Sequence, residues 1–282
     1  MGGKGRLNVK TIGFLGGDAR MAHLARMLAE DGCEVKTWSL AGTEECRPSE
    51  AMTAERIVLP VPLQRDGRLN GTRLPLGELW PRLSGAQRIY AGAVSAEAHA
   101  QAELLGLRLT DYYTDEALAV KNAVPTAEGA IAAAMANLSV TLHGAPCLVV
   151  GFGRVGKLLA RDLAALGAAV SVSARRFDDF AWIDALGYRA LHTNRLTGKL
   201  GGFRVIFNTV PDMVLDAALL GELRGDCVLI ELASRPGIDA EAARSRGLAC
   251  VAAGALPGKV APETAALALR ETLYRIWEEE EA

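Results

Sequence analysis

The sequence predicts an α/β fold made of two doubly wound, Rossmann-like domains with parallel sheets, joined by two linking helices around a cleft. Two observations support this prediction. Short apolar strands alternate with helical segments along the chain, which is the order of parallel βαβ units. In addition, residues 147–156 (CLVVGFGRVG) pass from an apolar strand through Gly-x-Gly-x-x-Gly into a helix. This is the order of the pyrophosphate-binding turn in dinucleotide-binding domains.

We expect four segments along the chain. These are an N-terminal α/β domain for substrate or partner binding at 1–125, a bridging helix and turn at 126–142, an NADP-binding domain at 143–260, and a C-terminal helix at 261–282 that packs back on the first domain. Pro125 disfavours helix in the residue before it and Thr126 can cap, so the bridging helix is predicted to begin there. Strands are predicted at 9–15, 33–38, 56–60, 88–91, 107–110, 146–150, 168–173, 205–209, 227–232 and 248–252. Further helices are predicted at 21–30, 99–105, 157–166, 213–223, 239–246 and 263–278.

Composition excludes several classes of function. The chain has 282 residues, is 50% hydrophobic and 23% charged, and carries a formal net charge of −2, so it offers no basic field for nucleic acid. No uninterrupted apolar run approaches the ~20 residues of a membrane span. Nor does the N-terminus read as a secretion signal. The five cysteines and four histidines are scattered without metal-ligand spacing. We therefore expect a cytoplasmic protein with no metal, nucleic acid or membrane partner.

The glycine turn is the main indication of a cofactor. Gly151 would make the tight turn, Gly153 would let the backbone approach the phosphates, and Gly156 would let the helix pack on the strand. The intervening Arg154 and Val155 begin a helix whose N-terminus attracts an anion. A chain with 30 glycines can also form such a turn without a ligand. The amphipathic helix and the next strand that follow favour dinucleotide binding.

The end of the next strand predicts which dinucleotide is bound. An acidic residue about 20 positions after the first glycine normally holds the ribose 2′-OH of NAD. Ala174 lies near that position, preceded by Ser173 and followed by Arg175 and Arg176. Because two guanidinium groups suit a 2′-phosphate, we predict NADP as the cofactor. The alternative is that both arginines are simply solvated.

Three loops follow later strands and would face the nicotinamide end of the cofactor. They span residues 208–211, 233–237 and 253–262. Their candidate cofactor contacts are Asn208, Thr209, Val210, Pro211, Ala233, Leu256 and Pro257. Arg235, Lys259 and, from the first domain, Arg20 are candidate clamps for substrate carboxylates. A Pro/Gly turn explains each loop on its own, and a surface salt bridge explains each cation.

Six stretches of the chain, in their order and spacing, resemble the A-subunit family of dipicolinate synthase from spore-forming bacteria. The matching stretches are 16–20 (GGDAR), 124–129 (VPTAEG), 142–144 (LHG), 151–156, 233–237 (ASRPG) and 256–262 (LPGKVAP). The resemblance implies oxidation of a dihydrodipicolinate-type ring, or its hydroxylated precursor, to pyridine-2,6-dicarboxylate by a pyridine nucleotide. It also implies synthesis in the mother cell during sporulation, and a partner, the flavoprotein-like B subunit of dipicolinate synthase. A homo-oligomer is compatible with the sequence.

The residues leave the general base open. Asp18, Glu128 and His143 are the candidates, with Asp18 and Arg20 favoured as polar substrate contacts. His143 has the side chain whose ordinary pKa lies closest to neutrality, yet a histidine before a glycine turn is more often structural. Glu128 is also explained as an acidic residue in the first turn of a helix.

Two other functions stay open. The cofactor half also looks like that of the 2-hydroxyacid dehydrogenases, although the separated Arg, Glu and His of that family are not found in place. A 2-hydroxyacid or imine-type dehydrogenase that acts alone is therefore one alternative. The other is a non-catalytic NADP-binding subunit.

Overall fold

The structure is a computed structural model that describes residues 11–282. Val9 and Lys10, the first residues of the predicted strand 9–15, lie outside the described range. The chain forms two compact units. Unit 1 contains the described residues up to Lys121 together with Ala261–Ala282, and unit 2 is Asn122–Val260. Within residues 11–282, no helix combines the length and the apolar character that crossing a membrane requires.

Unit 1 has a five-stranded parallel sheet with the strand order β2-β1-β3-β6-β7, a doubly wound order. A small antiparallel hairpin, β4–β5, accompanies it, and four α-helices lie between β1 and β7 along the chain. The strands are Thr11–Leu15 (β1), Glu34–Trp38 (β2), Arg56–Val58 (β3), Gln64–Arg65 (β4), Arg68–Leu69 (β5), Arg88–Ala91 (β6) and Arg108–Asp111 (β7). The helices are Ala19–Glu30 (α1), Pro48–Met52 (α2), Leu76–Leu79 (α3) and Ala96–Leu104 (α4). The hairpin, α2 and α3 were not predicted.

The long helix Glu116–Asn137 (α5) begins ten residues before the predicted start of the bridging helix. Asp115 caps it instead of Thr126, because its carboxylate accepts from the Leu118 N–H at 2.7 Å. The Thr126 hydroxyl donates to the Asn122 carbonyl at 2.7 Å, one turn back within the helix. The predicted start at Thr126 was therefore wrong, since Pro125 is accommodated inside the helix.

Unit 2 has a six-stranded parallel sheet in the order β10-β9-β8-β11-β12-β13, which is the dinucleotide-binding order with its switch point between β8 and β11. Its strands are Pro146–Val150 (β8), Ala169–Ala174 (β9), Arg189–His192 (β10), Val205–Asn208 (β11), Val228–Glu231 (β12) and Ala249–Ala252 (β13). Its helices after α5 are Arg154–Ala165 (α6), Phe177–Ala185 (α7), Ala217–Leu220 (α8), Ala240–Ser245 (α9) and Leu256–Val260 (α10). The α/β class and the parallel sheets are confirmed.

Three details of unit 2 differ from the prediction. The helix expected over 213–223 forms only at Ala217–Leu220, where the Asp216 carboxylate caps it through the Leu219 N–H at 2.9 Å. The loop expected after the last strand contains the short helix α10. Strand β10 and helix α7 had been missed, because β10 has only four residues and the six apolar residues of α7 show no clear period.

Each sheet separates two apolar cores, because alternate residues of a strand point to opposite faces. In β8, Cys147 and Val149 pack with α5 and α6, while Leu148 and Val150 pack on the other face with residues near α8 and α9. Unit 1 is built the same way. Its C-terminal helix, Pro262–Glu281 (α11), packs on α1 and buries Trp277 completely. These cores fix the carboxyl ends of the strands, where ligands bind in doubly wound sheets.

Candidate functional site

The glycine turn of unit 2 is held by both strands that flank β8. Gly151 has φ +102°, a conformation that suits glycine, and a Cβ there would collide with the Thr209 hydroxyl. The Gly151 N–H donates to the Ser173 carbonyl at 2.9 Å. On the other side, the Thr209 hydroxyl donates to the Val150 carbonyl at 2.8 Å. The turn is thus fixed at the switch point of the sheet.

The other two glycines have different surroundings. A Cβ on Gly156 would collide with the Gly151 carbonyl oxygen, so this glycine lets α6 pack closely on the turn. A Cβ on Gly153 would meet no atom within 4 Å, so its backbone faces open space. Gly153 is also the N-cap of α6 and provides no side chain to the free N–H groups of the first turn. Open backbone beside a helix N-terminus fits the pyrophosphate of a dinucleotide.

Ser173 does not offer its hydroxyl to a cofactor. Its side chain is fully buried, and its Oγ accepts a hydrogen bond from the Thr193 hydroxyl at 3.1 Å. Ala174 is 4% exposed and forms part of the core. The predicted ribose contact of Ser173 was therefore wrong, and its contribution to the site is the carbonyl that holds Gly151.

Arg175 and Arg176 are exposed, immediately beyond β9. Arg175 borders a cavity of about 210 Å³, whose wall includes Val210, Asp212 and Met213 from the loop after β11. Arg176 precedes α7 and pairs with Asp178 at 3.3 Å, where both side chains are largely exposed. This cavity lies between the two loops that flank the glycine turn, where an adenosine would be held.

Glu231, at the end of β12, organises two of the predicted loops and had not been singled out from the sequence. Its Oε1 accepts from the Asn208 amide at 2.8 Å and from the Ala233 N–H at 3.0 Å. Its Oε2 accepts from the N–H groups of Gly237 at 2.7 Å and Ile238 at 3.0 Å. One carboxylate therefore ties the end of β11 to the loop at 233–238. A lone acidic residue after an apolar strand gives no sequence signal for this role.

Asn208 serves the same cluster instead of contacting a cofactor through its side chain. It is fully buried, and its amide also donates to the Val210 carbonyl at 3.0 Å. A Cβ on Gly237 would collide with that amide, which explains the glycine at this position. The predicted cofactor contact of the Asn208 side chain was therefore wrong. Val210 is half-buried and Pro211 is exposed at the same loop.

The last predicted loop packs on the long helix α5. Leu256 and Pro257 are buried, and a Cβ on Gly129 would lie 3.1 Å from the Leu256 Cδ2 atom, so the glycine allows α10 to approach α5. Lys259 is exposed, and its ammonium donates to the Gly254 carbonyl at 3.1 Å. Because Leu256 and Pro257 are buried, their predicted cofactor contacts could be made only through the backbone.

Two exposed residues of unit 2 keep their side chains in solvent. Arg235 lies in the loop that Glu231 organises, and Glu128 lies on α5 one residue before Gly129. Neither side chain has a hydrogen-bond or ion-pair partner among the described residues. Arg235 and Glu128 therefore stay candidates for carboxylate binding and proton transfer.

His143 lies at the wrong end of β8 for catalysis at the glycine turn. It precedes the strand, whereas the turn follows it, and the five residues of β8 alone span roughly 16 Å at about 3.3 Å each. Its imidazole instead lies against Gly167, where a Cβ would collide with the ring. His143 is therefore excluded as the general base.

Asp18 and Arg20 form a pair with each other in unit 1. Asp18 is the N-cap of α1, and its carboxylate accepts from the Arg20 backbone N–H at 3.0 Å, from Nε at 3.0 Å and from Nη2 at 2.7 Å. Nη2 also donates to the Val61 carbonyl at 2.7 Å. Burial lowers the pKa of Arg20, but its hydrogen bond and charge interaction with Asp18 more than offset this and raise the pKa above its ordinary value. Arg20 is thus a buried structural cation rather than a free substrate clamp.

Comparison with known proteins identifies both parts of the chain. The family model for the N-terminal domain of the dipicolinate synthase A subunit matches residues 11–113, and a model for an NAD(P)-binding domain matches residues 138–238. The dipicolinate synthase A subunit from Bacillus subtilis (strain 168) is 30% identical over 96% of this chain and 97% of its own length. The crystal structure of the Bacillus halodurans A subunit covers 97% of this chain and 99% of its own, with a TM-score of 0.87 and 30% identity.

More distant structures share the fold. An L-alanine dehydrogenase matches 96% of this chain and 90% of its own with a TM-score of 0.69 at 14% identity. The D-lactate dehydrogenase of Escherichia coli matches 96% of this chain and 97% of its own with a TM-score of 0.62 at 16% identity. The chain therefore shares its fold with alanine and lactate dehydrogenases.

The carboxylate of Glu231 yields a testable prediction. In Glu231→Gln, an NH₂ group replaces one carboxylate oxygen and faces N–H donors, so hydrogen bonds to that oxygen are lost. The loops at 208–211 and 233–238 should then be held less firmly. We expect the Kd for NADP+, measured by calorimetry, to rise roughly tenfold, as the loss of about 1.4 kcal/mol implies.

Glu222→Gln is the matched control, because Glu222 accepts from the Gly198 N–H in an exposed loop of the same unit. Its Kd should equal that of the wild type. An unchanged Kd in Glu231→Gln would show that the two loops do not bear on cofactor binding.

Proposed function

Because the chain belongs to the A-subunit family of dipicolinate synthase, we propose that it catalyses the NADP-dependent oxidation of a dihydrodipicolinate-type intermediate to pyridine-2,6-dicarboxylate. The observation that carries the proposal is the open backbone at Gly153, in a unit that matches an NAD(P)-binding family. Its position at the switch point of a parallel sheet is where a dinucleotide binds.

The preference for NADP rests on the end of β9. Ala174 occupies the region where an NAD-binding domain has its acidic residue, and Arg175 and Arg176 follow it in solvent. Two guanidinium groups provide charge-assisted hydrogen bonds to a phosphate dianion, whereas a carboxylate there would repel it.

The chain's own residues would attract and orient the substrate. Arg235 and Lys259, which follow β12 and β13, are exposed cations on the side of the sheet where the nicotinamide would lie, and each can bind one carboxylate of the ring. When bound, the nicotinamide accepts a hydride from a ring carbon. Loss of that hydride and one ring proton makes the substrate aromatic, so the protein mainly has to hold and orient it. Glu128 is the exposed carboxylate that we propose as the proton acceptor.

We further propose that the partner is a second chain, the flavoprotein-like B subunit of dipicolinate synthase, and that the location is the mother-cell cytoplasm of a sporulating bacterium. A stand-alone 2-hydroxyacid or imine-type dehydrogenase is the second candidate, favoured by the fold shared with L-alanine and D-lactate dehydrogenases. A non-catalytic NADP-binding subunit is the third candidate.

Turnover distinguishes these three functions. The purified chain, incubated with NADP+ and freshly generated dihydrodipicolinate, should produce the ultraviolet absorbance of pyridine-2,6-dicarboxylate and one NADPH per product. Glu128→Gln should lower kcat, by the roughly 10²- to 10⁴-fold that general-base catalysis contributes. Reduction of simple 2-oxo acids would instead favour the stand-alone dehydrogenase, and no turnover with or without the partner would favour the non-catalytic subunit.

Cofactor choice is tested by Arg175→Ala. Loss of a charge-assisted contact to the 2′-phosphate should raise the Kd of NADP+ roughly 10- to 100-fold and leave that of NAD+ unchanged. Arg189→Ala is the matched control, since Arg189 is an exposed arginine at the amino end of β10. Equal weakening of both cofactors in Arg175→Ala would contradict the assignment of the 2′-phosphate to this residue.

A further inference from the structure

We propose that unit 1 contains a second ligand site, which binds a phosphorylated small molecule of nucleotide size in an arginine-lined cavity at the end of β2. This site is separate from the proposed dinucleotide site of unit 2. The cavity measures about 900 Å³ and is bounded by the end of β2, the β4–β5 hairpin and the turn that follows the hairpin. Its position follows the general rule that doubly wound sheets bind ligands beyond the carboxyl ends of their strands.

The charge of the cavity wall points to an anion. Arg65, Arg68, Arg73 and Arg82 line it, against Asp66 as the acidic lining residue. The chain as a whole has a net charge of −2, so this concentration of arginines does not reflect its composition. Like charges held near one another destabilise the fold, and a bound anion offsets that cost.

These arginines are largely available to a ligand. Arg68 donates to the Arg73 carbonyl at 3.2 Å, and Arg82 pairs with Glu78 at 3.5 Å, where both side chains are more than half exposed. Among the described residues, no hydrogen bond or ion pair engages the side chains of Arg65 and Arg73. One guanidinium group can donate two parallel hydrogen bonds to two oxygens of the same phosphate. Phosphate is therefore the anion that suits these arginines.

The cavity is built by backbone contacts, so it exists before a ligand arrives. The Ser39 hydroxyl donates to the Gly71 carbonyl at 3.1 Å, and the Asn70 N–H donates to the Leu63 carbonyl at 3.0 Å. Ser39 has a φ of +53°, which is unfavourable for serine and recurs at ligand sites, whereas the φ of +50° at Asp66 is the value that an Asp-Gly hairpin turn requires.

The glycine turn of unit 1 is itself closed to a ligand. The Gly17 N–H donates to the Asn70 carbonyl at 2.9 Å, and a Cβ on Gly71 would contact the Gly17 backbone. The turn after the hairpin therefore occupies the position that a pyrophosphate takes in a dinucleotide-binding domain. A ligand must bind outside this turn, against the arginines.

The size and the lining of the cavity favour a small molecule that has both a flat apolar part and anionic groups. Its volume falls within the ~300–1,000 Å³ typical of small-molecule sites. Trp38 and Leu74, which are both half-buried, line the wall and provide apolar surface, and an indole can stack on a flat ring. A nucleotide combines a stacking base with phosphates, whereas a simple inorganic anion would leave most of this space unfilled.

Calorimetric titration with ATP in the absence of Mg²⁺ tests this proposal. We expect the Arg65→Ala/Arg73→Ala double variant to bind ATP at least about tenfold more weakly than the wild type. The Arg26→Ala/Arg108→Ala variant is the matched control, because it removes two exposed arginines of unit 1 that do not line the cavity. Gly153→Asp is the second control, because it places a carboxylate at the proposed dinucleotide site of unit 2. It should also leave ATP affinity unchanged, which separates this site from unit 2.

Several outcomes would overturn the proposal. They are no ATP binding by the wild type, equal affinity in the Arg65/Arg73 variant, or loss of ATP binding in Gly153→Asp alone. If inorganic pyrophosphate bound as tightly as ATP, this would contradict the proposed stacking of a nucleotide base on Trp38. Tighter binding of a hexaglutamate peptide would assign the cavity to an acidic protein segment instead.

Discussion

The site depends on how the end of β8 is held between its two neighbours. The Gly151 N–H bonds to β9 through the Ser173 carbonyl, and the Thr209 hydroxyl bonds back to the last carbonyl of β8. These contacts fix the turn, so that α6 starts with its N–H groups directed at open space. Glu231 extends the arrangement by tying the next two loops together through four donors. The side chains that make these contacts mainly hold the backbone of the turn and the loops in place, and few of them face the proposed dinucleotide site.

The glycine turns of the two units differ in whether they are open to a ligand. In unit 2 the glycine turn is open, because a Cβ on Gly153 would have no neighbour within 4 Å. In unit 1 the corresponding turn is filled by residues 70–72 and donates its Gly17 N–H to the protein itself. The closing segment is the turn after the β4–β5 hairpin, an insertion between β3 and β6. The same turn lines the arginine-lined cavity, so a ligand of unit 1 would bind there and not at the glycine turn.

Much of the fold and half of the site could be predicted from sequence. The strands at 88–91 and 146–150 were predicted with the bounds the structure has, because each is a continuous apolar run between turn residues. Predictions from local sequence patterns were wrong where tertiary contacts determine the structure. Pro125 signals a helix start, yet packing on both sides keeps it inside α5. Ser173 and Asn208 carry polar groups suited to a cofactor, but both side chains are fully buried, because their positions along the strands direct them into the interior. Glu231 could not be found, since three of its four donors are backbone N–H groups, which have no sequence signature.

The most direct test of the account is the affinity of the Gly153→Asp variant for NADP+. Aspartate is a better N-cap than glycine and has room at this position, so the fold should be at least as stable as that of the wild type. Its charge would lie where the pyrophosphate is proposed to bind. The account predicts wild-type binding of NADP+ by calorimetry and no measurable binding by the folded variant. Equal binding by both proteins would contradict it, as would a wild type that binds neither NADP+ nor NAD+ at millimolar concentration.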